Sequence, residues 1–203
     1  MRSLSMLALA AIAVTVLAGC TGSPADAGEP STPVVTAEPS PAPTPTPAPV
    51  EADPADPSTW LIDADGIGPF ELGMPLDAAV ALVPDYTVET CPNPAVRFLG
   101  SETASSPTII LVAADDGGLA EVTLSGSTQP ATAGGIRVGS TVTEATSAYP
   151  GLELTQRYAD RYTLEGTPGW ISFTTEGLDV GPTAPITTIS VVEGAVPPSE
   201  YCG

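Results

Sequence analysis

The chain has 203 residues, 24 carboxylates against five Arg, no Lys, no His and a net charge of −19. Without an imidazole or an amine, Ser-His-Asp, Cys-His and Ser-Lys catalysis have no base, and the phosphate-binding loop and paired-His zinc hydrolase motifs lack their defining residues. The same acidity repels nucleic acid phosphates and anionic lipid head groups, so no nucleic acid partner and no basic-patch membrane contact are expected.

Residues 1–19 read as a signal peptide. Arg2 supplies the positive charge, residues 4–17 an apolar run of Ala, Leu and Val, and Leu17-Ala18-Gly19 the small residues ahead of a cleavage point. The run stops at Cys20, short of the roughly 20 apolar residues that an uncleaved spanning helix needs. Leu17-Ala18-Gly19-Cys20 resembles the lipobox of the bacterial lipoprotein signal family. The resemblance implies diacylglycerol in thioether linkage on Cys20, acylation of the new N-terminus, and a protein held by lipid at the extracytoplasmic face of the cell membrane. An ordinary secretory signal with an incidental Cys is the other reading of these residues.

From Cys20 to residue 58 the chain reads as a linker. Eleven of residues 21–58 are Pro, with Pro-Ala-Pro-Thr-Pro-Thr-Pro-Ala-Pro over 41–49. Such a stretch buries no core and favours an extended polyproline rod. At about 3.1 Å per residue it reaches at most ~120 Å from its anchor. It is either a bare tether or one carrying O-linked sugar on Thr32, Thr36, Thr44 or Thr46.

Residues 59–203 form the folded part, of expected class α+β, organised as two tandem repeats near 66–130 and 132–196. Residues 70–84 align without a gap on 136–150, sharing a Gly at 73/139, a Pro at 84/150 and apolar positions at 70/136, 72/138, 76/142 and 79/145. Each copy predicts a short alternating strand, a Gly turn and a short helix. Pro75 suits the first helical position of one copy, and Thr141 with Glu144 fits a capping box in the other. Strands are then predicted over 86–90, 95–99, 108–113 and 119–125, and again over 152–158, 161–164, 169–174 and 186–192. Asp115-Asp116-Gly117-Gly118 predicts a hairpin turn. Each repeat is thus expected to be one short helix packed on an antiparallel sheet of three to four strands.

Leu72-Gly73-Met74-Pro75-Leu76-Asp77 and Val138-Gly139-Ser140-Thr141-Val142-Thr143, each followed by a strand meander, resemble the β-lactamase-inhibitory-protein modules and the small lipoproteins of the SmpA/OmlA type. The resemblance covers some 15 residues per copy and implies a function of binding other proteins. The inhibitors use an aromatic-rich concave sheet; the aromatic residues available here are chiefly Tyr158, Tyr162, Trp170 and Phe173.

With Cys20 given to lipid, Cys91 and Cys202 remain. Two thiols in an exported domain pair most simply as one disulfide. Metal ligation by this pair would need two further ligands, and no His is available. Asp63-Ala64-Asp65-Gly66 is similar to the opening of a calcium loop, but Met74 stands where the bidentate Glu belongs, so a turn is expected and no metal or other cofactor. Arg157-Tyr158-Ala159-Asp160-Arg161-Tyr162 is the one local concentration of positive charge and aromatic rings. Arg157, Tyr158, Arg161 and Tyr162 are therefore the candidate binding residues; the structural alternative is a strand pair whose Arg residues neutralise nearby carboxylates.

These readings converge on a lipid-anchored, non-enzymatic binding module for a protein or cell-wall partner, with no catalytic residues expected. A carboxylate-based hydrolase of wall glycans and a receptor for a soluble ligand or cation are the alternatives.

Overall fold

The computed structural model describes residues 52–103, 105–156, 158–194 and 201–202; Cys20 with its lipobox, nearly all of the Pro-rich linker, and Arg157 lie outside the described residues. Three short strands, β1 (Leu61–Ile62), β2 (Gly66–Ile67) and β3 (Phe70–Glu71), lead into helix α1 (Leu76–Ala81). A meander follows of β4 (Thr87–Thr90), β5 (Val96–Gly100), β6 (Thr108–Ala113) and β7 (Leu119–Ser125). The second half repeats the pattern: β8 (Ala131–Thr132), helix α2 (Val142–Ala148), then β9 (Glu153–Gln156), β10 (Asp160–Leu164), β11 (Trp170–Thr175) and β12 (Ile186–Val192).

The two meanders join. β7 pairs antiparallel with β12, Val122 opposite Val191 and Leu124 opposite Ile189, giving one eight-stranded sheet in the order β4-β5-β6-β7-β12-β11-β10-β9. A second sheet, β3-β2-β1-β8, is closed by parallel pairing of β1 with β8. This corrects the expected α+β class, in which each repeat was one short helix on its own sheet. The described chain is mostly β, because the helices span only six and seven residues while twelve strands in two sheets carry the backbone. At two residues each, β1, β2, β3 and β8 are too short for alternation to announce a second sheet.

The turn that precedes each helix is built alike. Gly73 and Gly139 both take left-handed backbone, φ +80° and +92°, where a Cβ is strained. The Gly73 N–H donates to the Leu119 carbonyl at 2.8 Å, at the start of β7; the Gly139 N–H donates to the Ile186 carbonyl at 2.8 Å, at the start of β12. Each helix start is thereby tied to the last strand of its own meander. The caps differ. Thr141 Oγ1 accepts the Glu144 N–H and Glu144 Oε2 accepts the Thr141 N–H, a complete capping box. Pro75 stands at the N-cap of α1 and makes no side-chain cap bond.

One face of the large sheet is covered. Leu99, Ile109, Leu111, Val122, Leu124, Ile171, Phe173, Ile189 and Val191 are buried there in a single core with Leu76 and Ala79 of α1 and with Val142 and Ala145 of α2. Trp60 meets Phe70 edge-on at 5.6 Å, and its indole N–H donates to the Asp53 carbonyl at 2.8 Å. At Gly68, φ +57°, a Cβ would overlap the Trp60 ring, so only Gly fits.

Candidate functional site

Antiparallel partners share a face of the sheet. The register therefore defines the side opposite the core. Its middle row runs Phe98, Ile110, Thr123, Ser190, Ser172, Thr163 across successive strands. The next row runs Ser125, Thr188, Thr174, Arg161, Thr155. On the other flank lie Val112, Glu121, Val192 and Trp170. Strands buried on one face carry their polar residues on the other, and here those residues are hydroxyls gathered at the centre of the sheet.

A concavity of about 250 Å³ opens on this face over β6, β7, β12, β11 and β10. Thr123 and Ser190 line it and are themselves 3% and 2% exposed, linked by a 2.6 Å hydrogen bond between their hydroxyls. Ser125, Thr174 and Thr188 add three further hydroxyls. Tyr158 and Arg161 wall one side and Tyr201 another. Ser172, next to Ser190 in the row, buries its Oγ with no hydrogen-bond partner among the described residues.

Two devices place these walls. Asp160 pins the β9–β10 hairpin that carries Tyr158 and Arg161. Its carboxylate accepts from Gln156 Nε2 at 2.7 Å and from the N–H groups of Val180 at 2.8 Å and Asp179 at 3.0 Å. The Gln156 amide, helped by those backbone donors, holds the Asp160 carboxyl below the usual carboxylate range. The other device is the disulfide. Cys91 and Cys202 are bonded, with Cα atoms 5.7 Å apart and a sequence separation of 111. Asn93 Nδ2 donates to the Tyr201 carbonyl at 3.2 Å, and the Tyr201 ring meets Phe98 edge-on at 6.3 Å. Tyr201 is thus fixed on the open face, where its hydroxyl donates to Glu121 Oε1 at 2.7 Å.

Glu121 is 1% exposed. Thr123 also donates to Oε1, while Oε2 has no hydrogen-bond partner among the described residues. Burial pushes the carboxyl above its ordinary range, outweighing the Tyr201 and Thr123 hydrogen bonds and the Arg161 charge that act the other way. The Tyr201 phenol is pushed up in turn, first by burial and then by the Glu121 charge.

The residues singled out in sequence part company here. Tyr158, 67% exposed, and Arg161 stand together at the concavity. Tyr162 sits opposite Phe173 and Leu154 on the covered face, where burial, with Asp160 nearby, raises its phenol. Arg157 lies outside the described residues. Asp63 is spent on a turn, its Oδ1 accepting the N–H groups of Asp65 and Gly66. The hydroxyl floor, Glu121 and Tyr201 were missed in sequence. Their signal was the polar parity of the inner strands, Glu121-x-Thr123-x-Ser125, Ser172-x-Thr174 and Thr188-x-Ser190. A larger cleft of about 470 Å³ lies beside Asp53, Asp56, Asp85 and Tyr86, but Asp53 and Asp56 there accept backbone N–H groups of their own turns.

No family model and no curated protein matches the chain. A solved structure similar to part of it is an extracellular protein containing a SCP domain from Bacillus anthracis str. Ames, with a TM-score of 0.42 and 7% identity. The match covers 60% of this chain and spans 44% of that one, and a likeness of this size carries no argument about function. Among the described residues no helix is long and apolar enough to cross a membrane, and no group of three or more Cys, Asp or Glu is placed to hold a metal ion.

Proposed function

We propose that the protein is an exported, lipid-anchored, non-catalytic module that takes a cell-surface partner on the open face of its eight-stranded sheet. The observation that carries the reading is the concavity of buried hydroxyls between the Asp160-pinned hairpin and the disulfide-held Tyr201. The Cys91–Cys202 bond fits an oxidising compartment outside the cytoplasm. The lipobox at Cys20 supplies the anchor and the Pro-rich linker the reach. Glycoside hydrolysis needs two carboxylates flanking the bond, and none of the described residues that line this concavity is Asp or Glu.

The full-length protein, purified in detergent and mixed with membrane-stripped cell walls, is expected to sediment with them. Tyr158→Ala is expected to release it at an unchanged melting temperature, because that side chain is mostly exposed. A protein that stays in the supernatant overturns the reading. Intact mass is expected to show a diacylglyceryl group on Cys20 at the N-terminus; a free Cys20 thiol removes the anchor from the proposal.

A further inference from the structure

We propose that the open-face concavity holds one ring of a neutral saccharide; this rests on the binding-module reading above and names its ligand. Three properties of the site converge on that class. The first is size: about 250 Å³ falls below the roughly 300–1,000 Å³ of pockets that enclose drug-sized ligands, and matches a single ring.

The second is the character of the walls. A sugar ring presents donors and acceptors around its edge and an apolar C–H face above and below. Ser and Thr hydroxyls can both donate and accept, and five of them line this site. Tyr158, exposed at the rim, offers an aromatic face for the C–H side of the ring. Thr123 and Ser190 are fixed to each other beneath, so the floor is set before the ligand arrives.

The third is what the surface lacks as a dock for other classes. Protein interfaces draw most of their affinity from apolar and aromatic anchors. Of the exposed large apolar residues among those described, Val88 and Leu154 are paired with covered-face residues, Leu61 belongs to the small sheet and Leu178 to a loop; Tyr158 alone belongs to this site. An anionic ligand would meet a chain of net charge −19 and the Glu121 carboxyl behind Tyr201, with Arg161 the single cation lining the concavity among the described residues.

The test is calorimetric titration of the full-length protein with the N-acetylglucosamine trimer, the glucose trimer and glycan fragments released from protease-stripped walls. At least one of these is expected to bind. Thr174 and Thr188 face each other across β11 and β12, and Thr174→Val with Thr188→Val removes two lining hydroxyls while keeping β-branched shape. That double variant is expected to melt like the wild type and to bind at least tenfold more weakly. Tyr158→Ala, on a separate rim residue, is expected to weaken binding several-fold. If none of the three probes titrates, or if both variants bind like the wild type, the proposal is overturned. Walls that retain the protein only before protease treatment make the partner a protein, which overturns the saccharide and leaves the binding module standing. Retention by neither preparation overturns both.

Discussion

The two halves of the eight-stranded sheet share a scaffold and differ in what they display. In each, a left-handed Gly leads into a short helix and bonds back to the first residue of that half's last strand. On the open face the first half displays Phe98, Ile110, Val112 and Glu121 beside the hydroxyls of Thr123 and Ser125, whereas the second displays Arg161, Thr163, Ser172, Thr174, Thr188 and Ser190 beside Val192 and Trp170. The positions at which the two copies coincide in sequence either turn the chain or fill the core. The concavity lies across the seam between the halves, on residues outside the aligned segments. The repeat thus marks the scaffold, and the proposed binding site lies outside it.

The largest break in this symmetry is the disulfide, which belongs to the first half and the C-terminal tail alone. Cys91→Ser with Cys202→Ser is expected to lower stability by about 4–5 kcal/mol in the chain-entropy model, seen as a lower urea midpoint. Unchanged midpoints with and without reductant would mean the staple is idle. The scaffold equivalence is sharpened by Gly73→Ala and Gly139→Ala. Each is expected to cost roughly 1–2 kcal/mol, since a Cβ at either site is strained by φ rather than by crowding. Clearly unequal costs would break the equivalence.

The caps test the asymmetry. Thr141→Ala is expected to cost about 1 kcal/mol by removing the capping box, whereas α1 has no side-chain cap to lose. The subtlest effect is recognised by its sign. The Glu121 carboxyl is raised in the fold by burial, so its contribution is fully favourable below the pH range where an unfolded-chain Glu titrates. It is lost as pH rises through the folded value. Glu121→Gln is therefore expected to raise the melting temperature at neutral pH, with the gain vanishing in acid. A gain that grows on acidification would contradict the assignment.

The legible parts were those with local causes. The strands predicted over 108–113 and 119–125 coincide with β6 and β7, and the Thr141–Glu144 spacing produces the box that the side chains form. Asp115-Asp116-Gly117-Gly118 turns β6 into β7, with Gly118 N–H donating to Asp116 Oδ1 at 3.0 Å. The class was misread because two short helices carry clear start and stop residues in sequence, while strands of two residues leave no period to detect. Of the four candidate binding residues, the Arg-Tyr cluster led to Tyr158 and Arg161. Adjacent residues of a strand point to opposite faces, so Tyr162 was bound to separate from Arg161.

By itself the sequence determined the two helices and the longer strands, the Gly turns, the exclusion of imidazole and amine chemistry, and the cysteine pair, because each follows from residue type or from neighbours along the chain. Only the tertiary structure decided that β7 pairs with β12, merging two meanders into one sheet. That pairing brings Thr123 against Ser190 across 67 residues, and the tail brings Tyr201 to Glu121 across 80. Contacts of such separation are chosen by which apolar faces can be buried together, and no local pattern encodes that choice.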